Sequence, residues 1–334
     1  MNIPTLGQSI SYEDILEALD KGLHRKAALL LRNQAENFAQ LVKRSKVDSG
    51  VLRRELEVAR NVQKASLPAD CPAIPGVTCA TLYKPVHSLG GDYYDFLALQ
   101  DGAWGIAIGD VSGKGIGAAL VVATLQASLR AQTLRPRSRI ETLMKNVNRL
   151  VRESSPAEFF ASLFYAEYRP ASRLLRYVNA GHNPPLVIRR SHGQCETFFL
   201  APGGAPVGAL EDSRYTSATF QLELGDVLVA YTDGVTEAEN SDGDDFGQDR
   251  LERILCSCSA REPQEILHYI LRELRAHSQL ESQTDDITLV VMRVERVTET
   301  PYRMTSAPKE FRAIRSPMRE MNTTQDLRCD ILTL

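Results

Sequence analysis

The sequence has no apolar run of the ~18 residues that a membrane-spanning helix needs. Its first stretch, Met1 to Asp20, is acidic and amphipathic rather than basic and then apolar, so neither a membrane span nor a secretory signal is expected. Positive charge is not in excess either. The formal net charge is -3, which leaves no global basic field for nucleic acid or anionic lipid. The resulting expectation is a cytoplasmic location, with no nucleic acid and no membrane as partner. Cysteine is sparse, at six residues (Cys71, Cys79, Cys195, Cys256, Cys258 and Cys329) without C-x-x-C spacing. That pattern indicates neither a zinc site nor a disulfide framework, and all six are expected to be reduced thiols.

What is present is ordinary for a globular protein: 43% of residues are hydrophobic and 24% charged, which excludes a mostly disordered or fibrous chain. A length of 334 residues suits one large domain with an appendage, or two modest domains.

Three textures divide the chain. From Ser11 to Val42, apolar residues recur at spacings of three and four (Leu16, Leu19, Leu23, Ala27, Leu30, Phe38, Leu41), the period of an amphipathic helix or helix pair. A second helical stretch runs from Val51 to about Ala65, with Leu52, Leu56, Ala59 and Val62 on one face, and Pro68, Pro72 and Pro75 end it. Residues 1–66 therefore form a helical arm. Its apolar stripe is satisfied either by folding into a hairpin or by packing on a partner subunit. From Gly76 to about residue 296 the texture is short β-type runs broken by Gly, Pro and Asp, the signal of an antiparallel sheet system. Strands are expected at Val77–Tyr83, Tyr93–Ala98, Trp104–Gly109, Ser162–Tyr168, Arg173–Asn179, Leu186–Arg190, Thr216–Leu222, Val227–Thr232 and Ile287–Val294. Helices are expected at Ile116–Gln132, Ile140–Ser154, Asp249–Ser257 and Pro263–Ser278. The fold class is α+β, two antiparallel sheets with helices outside. Residues 297–334 are polar, aperiodic and carry Pro301, Pro308 and Pro317, which reads as a tail.

Four acidic clusters fall at strand ends: Gly91-Asp92-Tyr-Tyr-Asp95, Gly109-Asp110-Val111-Ser-Gly-Lys-Gly, Thr232-Asp233-Gly234 and Thr284-Asp285-Asp286. A carboxylate at the buried end of a strand is costly unless its charge is compensated, and several together imply a cation. Oxygen donors without a His or Cys cluster select a hard ion, Mg²⁺ or Mn²⁺. Two such ions provide a route to phosphate ester hydrolysis. Each cluster alone is weak, since Asp-Gly is usually a turn. Strand alternation puts Asp92 and Asp95 on opposite faces, so at most one is a ligand, and Asp92 beside Gly91 is the choice. The glycine-rich turn after Asp110 does not have the G-x-x-x-x-G-K-[ST] spacing of a nucleotide loop. His182 is either a general acid or a histidine satisfied within its turn.

The ordered blocks GDYYDF (91–96), IGDVSGKGIGAAL (108–120), FFASLFYAEY (159–168), NAGHNPPL (179–186), VLVAYTDGVTEA (227–238) and TDDITLVV (284–291) resemble the metal-dependent protein phosphatase (PPM) family, and within it the bacterial SpoIIE/RsbU-like branch. The resemblance covers roughly Gly76 to Val294. It implies a serine/threonine phosphatase with two ions per domain. Asp110 would bridge both ions, with the Val111 carbonyl on the second ion, Asp233 and Asp285 on the first, and Asp92 completing the second. Loss of Asp110 or Asp233 is expected to abolish catalysis. The arginine that contacts phosphate in many eukaryotic relatives has no recognisable counterpart ahead of Asp92 in this sequence. The resemblance also implies a phosphorylated regulatory protein of the STAS type as substrate, in sigma-factor partner switching. Residues 55–68 would link a regulatory segment to the phosphatase, with a homodimer and an activator protein acting through the N-terminal helices. A non-catalytic regulatory module of the same fold is the competing expectation.

Overall fold

Alternation and continuity of apolar residues decide the layers. The computed structural model describes residues 49–134, 139–201, 203–278 and 283–297; the helical stretch expected at 11–42 and the tail at 298–334 lie outside them. A long helix, α1 (Ser49–Ser66), leads into strands β1 (Val77–Lys84), β2 (Asp92–Ala98) and β3 (Trp104–Val111). Helices α2 (Ile116–Thr133) and α3 (Ile140–Ser154) follow, then β4 (Ala161–Arg169), β5 (Leu174–Ala180), β6 (Leu186–Ser191), β7 (Gln194–Phe199), β8 (Ala218–Gln221) and β9 (Val227–Tyr231). The order closes with the short α4 (Asp233–Thr236), α5 (Gln248–Cys258), α6 (Pro263–Ser278) and β10 (Ile287–Val294).

The strands form two antiparallel sheets of five, in the orders β1-β10-β9-β6-β7 and β2-β3-β4-β5-β8. In β9, in β10 and in the first half of β6 nearly every residue is apolar because both faces are covered. Val187, Leu228, Ala230, Val290 and Met292 point into the core shared with the second sheet. Their neighbours Leu186, Ile188, Val227, Val229, Leu289 and Val291 point outward, against Leu251 and Leu255 of α5 and Ile266 and Ile270 of α6. On the other side α3 presents Ile140, Leu143, Met144, Val147 and Val151, all buried, at the three-and-four spacing of an amphipathic helix. The α2 sequence is apolar almost all round and is correspondingly buried. The expected α+β sandwich with helices outside is the observed fold.

Strand boundaries agree with expectation to within a residue or two, with two exceptions. Strand β7, sequence QCETFF, was not anticipated. It is a mostly polar edge strand joined to β6 by a two-residue turn, His192-Gly193, and solvent on its free side removes the apolar pattern that marks central strands. Four-residue α4 is too short for any helical period to show. The expectation of six reduced thiols also fails. Cys195 of β7 and Cys256 of α5 are joined by a disulfide, with Cα atoms 5.8 Å apart, a separation that suits the bond. Packing of α5 on the edge strand creates this proximity across 61 residues of sequence. Cys71, Cys79 and Cys258 are free thiols. No described helix is long and apolar enough to cross a membrane.

The arm helix α1 joins the domain only at its C-terminal end. Val58 and Val62 are 63% and 65% exposed, so much of its apolar stripe has no cover among the described residues. Gln63, by contrast, is buried, as is Leu67 just beyond the helix.

Candidate active site

Four separate segments bring the acidic residues to one end of the sandwich. Asp92 opens β2 and Asp110 lies near the end of β3, and the two are direct cross-strand partners in the second sheet. From the facing sheet, Asp233 starts α4 immediately after β9, and Asp285 precedes β10. Close packing joins these last two segments. A Cβ on Gly234 would stand 2.0 Å from the Asp286 carbonyl oxygen, so the Asp-Gly here serves backbone approach rather than a simple turn.

Asp92 is buried and bonded across the sheets. Its Oδ2 accepts from Thr232 Oγ1 at 2.8 Å and Thr288 Oγ1 at 2.5 Å. Burial and the neighbouring Asp110 still hold its carboxyl well above the usual range. Asp110 is pushed up to about 8, first by burial and then by the charges of Asp233 and Asp285. Asp233 is raised by burial and by Asp285. Raised carboxyls that desolvation and one another's charge hold together in this way mark a candidate functional site.

Asp95 goes the other way, as strand alternation required. It accepts from Arg130 Nε at 2.7 Å and Arg130 Nη2 at 3.1 Å on α2, and from the Tyr93 hydroxyl at 3.0 Å. Val111 donates its N–H to Gly91 O at 3.0 Å. A Cβ on Gly91 would lie 3.0 Å from the Val111 carbonyl oxygen and 3.3 Å from that of Gly113, so the missing side chain keeps that cradle open.

As the side chains lie, no three His, Cys, Asp or Glu among the described residues converge as a metal-binding group. Lys114 draws Asp285 aside, with Nζ 2.9 Å from Oδ2, while the two threonines hold Asp92. The donor chemistry nevertheless fits hard divalent cations: oxygen atoms only, more acid than local base, and a glycine-lined opening beside a backbone carbonyl.

Several further residues surround the acidic cluster, and of these the sequence did not single out Gln63. Asp286 is a structural carboxylate that accepts from Val86 N at 2.7 Å and Gly91 N at 2.6 Å. Gln63 at the end of α1 donates Nε2 to Gly90 O at 2.8 Å and accepts from Gly90 N at 3.1 Å, two residues from Asp92. His182 is 3% exposed. Its Nδ1 pairs with Ser162 Oγ at 2.8 Å and its N–H donates to Asn179 Oδ1 at 2.8 Å. Burial lowers the imidazole to about 4, so it is neutral near pH 7, and its Nε2 is buried without a hydrogen-bond partner among the described residues. Ser162 is the cross-strand partner of Asp110.

Comparison with known proteins agrees with this geometry. Residues 100–295 match the family described as Stage II sporulation protein E (SpoIIE). The chain is 32% identical to phosphoserine phosphatase RsbU of Bacillus subtilis over 251 residues, covering 72% of this chain and 70% of RsbU. It is 30% identical to protein IcfG of Synechocystis, covering 81% of this chain but 46% of IcfG. It therefore spans about half of IcfG and little more than two thirds of RsbU. Among solved structures, the SiaA-PP2C domain of Pseudomonas aeruginosa superposes with a TM-score of 0.64 at 21% identity, covering 74% of this chain and 97% of that domain. That likeness bears on the fold.

Proposed function

Because the chain belongs to the SpoIIE/RsbU-like family of PP2C-type protein phosphatases, we propose that it hydrolyses a phosphoserine or phosphothreonine on a regulatory protein. The observation that carries the reading is the meeting of Asp92 and Asp110 across one strand pair with Asp233 and Asp285 close enough to act on Asp110. In this reading Asp92, Asp110, Asp233, Asp285 and the Val111 carbonyl are the groups that would hold two Mn²⁺ or Mg²⁺ ions. Ions held there supply an activated water and charge neutralisation for in-line attack on phosphorus.

The chain's own residues do the rest. Thr232 and Thr288 fix the unshared oxygen of Asp92 and so orient the other. Gly91 and Gly234 let the backbone segments close up without side chains between them. Neutral His182 ties the β5–β6 turn to β4 opposite Asp110, which suits a positioning role.

The substrate in this reading is a STAS-type regulatory protein of a sigma-factor partner-switching system, met in the cytoplasm. Residues 1–66 act as a regulatory arm, 76–296 as the phosphatase domain and 297–334 as a tail. The exposed apolar positions of α1, Val58 and Val62, suit a second copy of the chain or an activator protein. Gln63 then carries the state of the arm to Gly90 and hence to Asp92. The test is phosphate release from a phosphoserine peptide with Mn²⁺. Turnover that a chelator abolishes supports the reading; no turnover with Mn²⁺ favours a non-catalytic module of the same fold.

A further inference from the structure

A charge count leaves the proposed centre short of positive charge for its substrate. Four carboxylates (Asp92, Asp110, Asp233, Asp285) against two divalent cations are electrically neutral. A phosphorylated side chain brings a further charge of about -1.5 to -2 near pH 7. Other acids around the centre do not offset it. Asp286 spends both oxygens on backbone N–H groups, and Glu237 lies within electrostatic reach of Asp233 and Asp285, so it adds negative charge at the rim.

Among the described residues, Lys114 is the basic side chain in contact with this cluster. Its Nζ lies 2.9 Å from Asp285 Oδ2 and donates to the Thr284 carbonyl at 2.6 Å. Its charge also reaches Asp233 and Glu237, where it opposes the upward push that burial gives both carboxyls. It is held on the loop between β3 and α2, three residues after Val111. Both flanking residues are glycines with positive φ, Gly113 at 88° and Gly115 at 75°, and a Cβ on Gly115 would meet nothing within 4 Å. The Lys114 side chain is 43% exposed, so its ammonium is reachable from solvent while it contacts Asp285. Asp285 gives that ammonium a resting partner. A divalent cation on the Asp285 carboxylate would repel the Lys114 ammonium and free it to turn outward.

We propose that Lys114 is the substrate-binding cation of this centre, swinging from Asp285 to an oxygen of the phosphoryl group. The inference rests on the phosphatase reading and deepens it by naming the group that grips the phosphate. An ammonium suits the task because its three rotatable donors act as a point charge that tolerates the changing geometry of a transferring phosphoryl group.

The test measures binding of inorganic phosphate to the Mn²⁺-loaded protein by calorimetry, in wild type, Lys114→Ala and Lys114→Arg. Mn²⁺ affinity is measured in parallel, and turnover of a phosphoserine peptide by the wild type separately tests the phosphatase reading. Expected results are phosphate binding weakened about tenfold in Lys114→Ala and restored to within about threefold in Lys114→Arg, a higher KM for the peptide, and Mn²⁺ affinity equal or higher in the alanine variant. Phosphate affinity unchanged in Lys114→Ala would overturn the inference, whether or not Mn²⁺ binds more tightly. In that case Lys114 is only a counter-ion for Asp285. A wild type that binds phosphate through Lys114 but releases none from the peptide would instead count against the phosphatase reading.

Discussion

Replacing Gln63 with alanine isolates the link between the arm helix and the acidic cluster. Gln63 meets both polar groups of the buried Gly90 peptide, donating to its carbonyl at 2.8 Å and accepting from its N–H at 3.1 Å. Alanine leaves both groups without that partner. A buried polar group stripped of its hydrogen bond costs ~1–3 kcal/mol. Two such groups, partly rewetted through the space the side chain vacates, give a total near the low end, about 3 kcal/mol. For a domain of this size each kcal/mol moves the melting temperature by ~2–4 °C, so a fall of roughly 6–12 °C is expected. Gly90 adjoins Gly91 and Asp92, so part of the cost falls on the geometry of Asp92. If half of it does, about 1.4 kcal/mol, the Mn²⁺ concentration giving half-maximal activity rises about tenfold. The assay is phosphate release against Mn²⁺ concentration, beside thermal unfolding, with exposed Glu57→Ala on the same helix as control. A Gln63→Ala protein that melts lower but keeps the wild-type Mn²⁺ midpoint would refute the coupling.

Other perturbations separate neighbouring roles. Thr288→Val removes one of the two hydroxyls on the buried Asp92 carboxylate and should cost about 1.5–3 kcal/mol together with weaker Mn²⁺ binding, while Thr288→Ser should recover both; calorimetric titration checks it. Asp95→Asn weakens the pairing with Arg130 and should lower stability by about 3 kcal/mol yet leave the Mn²⁺ stoichiometry at the wild-type value, since Asp95 faces α2. His182 has a folded-state value of about 4 against an ordinary value of 6.5. The unfolded chain therefore binds the extra proton first, and the stability from keeping the ring neutral is complete above pH 6.5 and lost as pH falls towards 4. That loss is about 3 kcal/mol, and denaturant titrations of wild type and His182→Gln at pH 7 and pH 4.5 should show a smaller pH dependence in the variant.

How much of this was legible in the sequence follows from where each residue finds its partners. Asp110 stood out because strand, glycine turn and helix lie together along the chain, and the central strands because two-sided burial leaves continuous apolar runs. Strand alternation allowed at most one of Asp92 and Asp95 as a ligand, and the neighbouring Gly91 favoured Asp92; Asp95 pairs with Arg130. The residues that surround the carboxylates were hidden by distance. Gln63 meets Gly90 across 27 residues, Lys114 meets Thr284 across 170, and Thr288 meets Asp92 across 196. No local period records such contacts. The Cys195–Cys256 bond was missed for the same reason, because it depends on α5 packing against an edge strand whose polar sequence gave no strand signal. The two sheets had to be assembled before any of these partners could be named.

The central claim is that the Asp110 carboxylate holds the ions that drive phosphoester hydrolysis. Mn²⁺-dependent phosphate release from a phosphoserine peptide, compared between wild type and an Asp110→Asn protein of matching circular dichroism, tests it most directly. The account predicts turnover by the wild type and a loss of about 10²-fold or more in the variant; an Asp110→Asn protein that releases phosphate at the wild-type rate would contradict it.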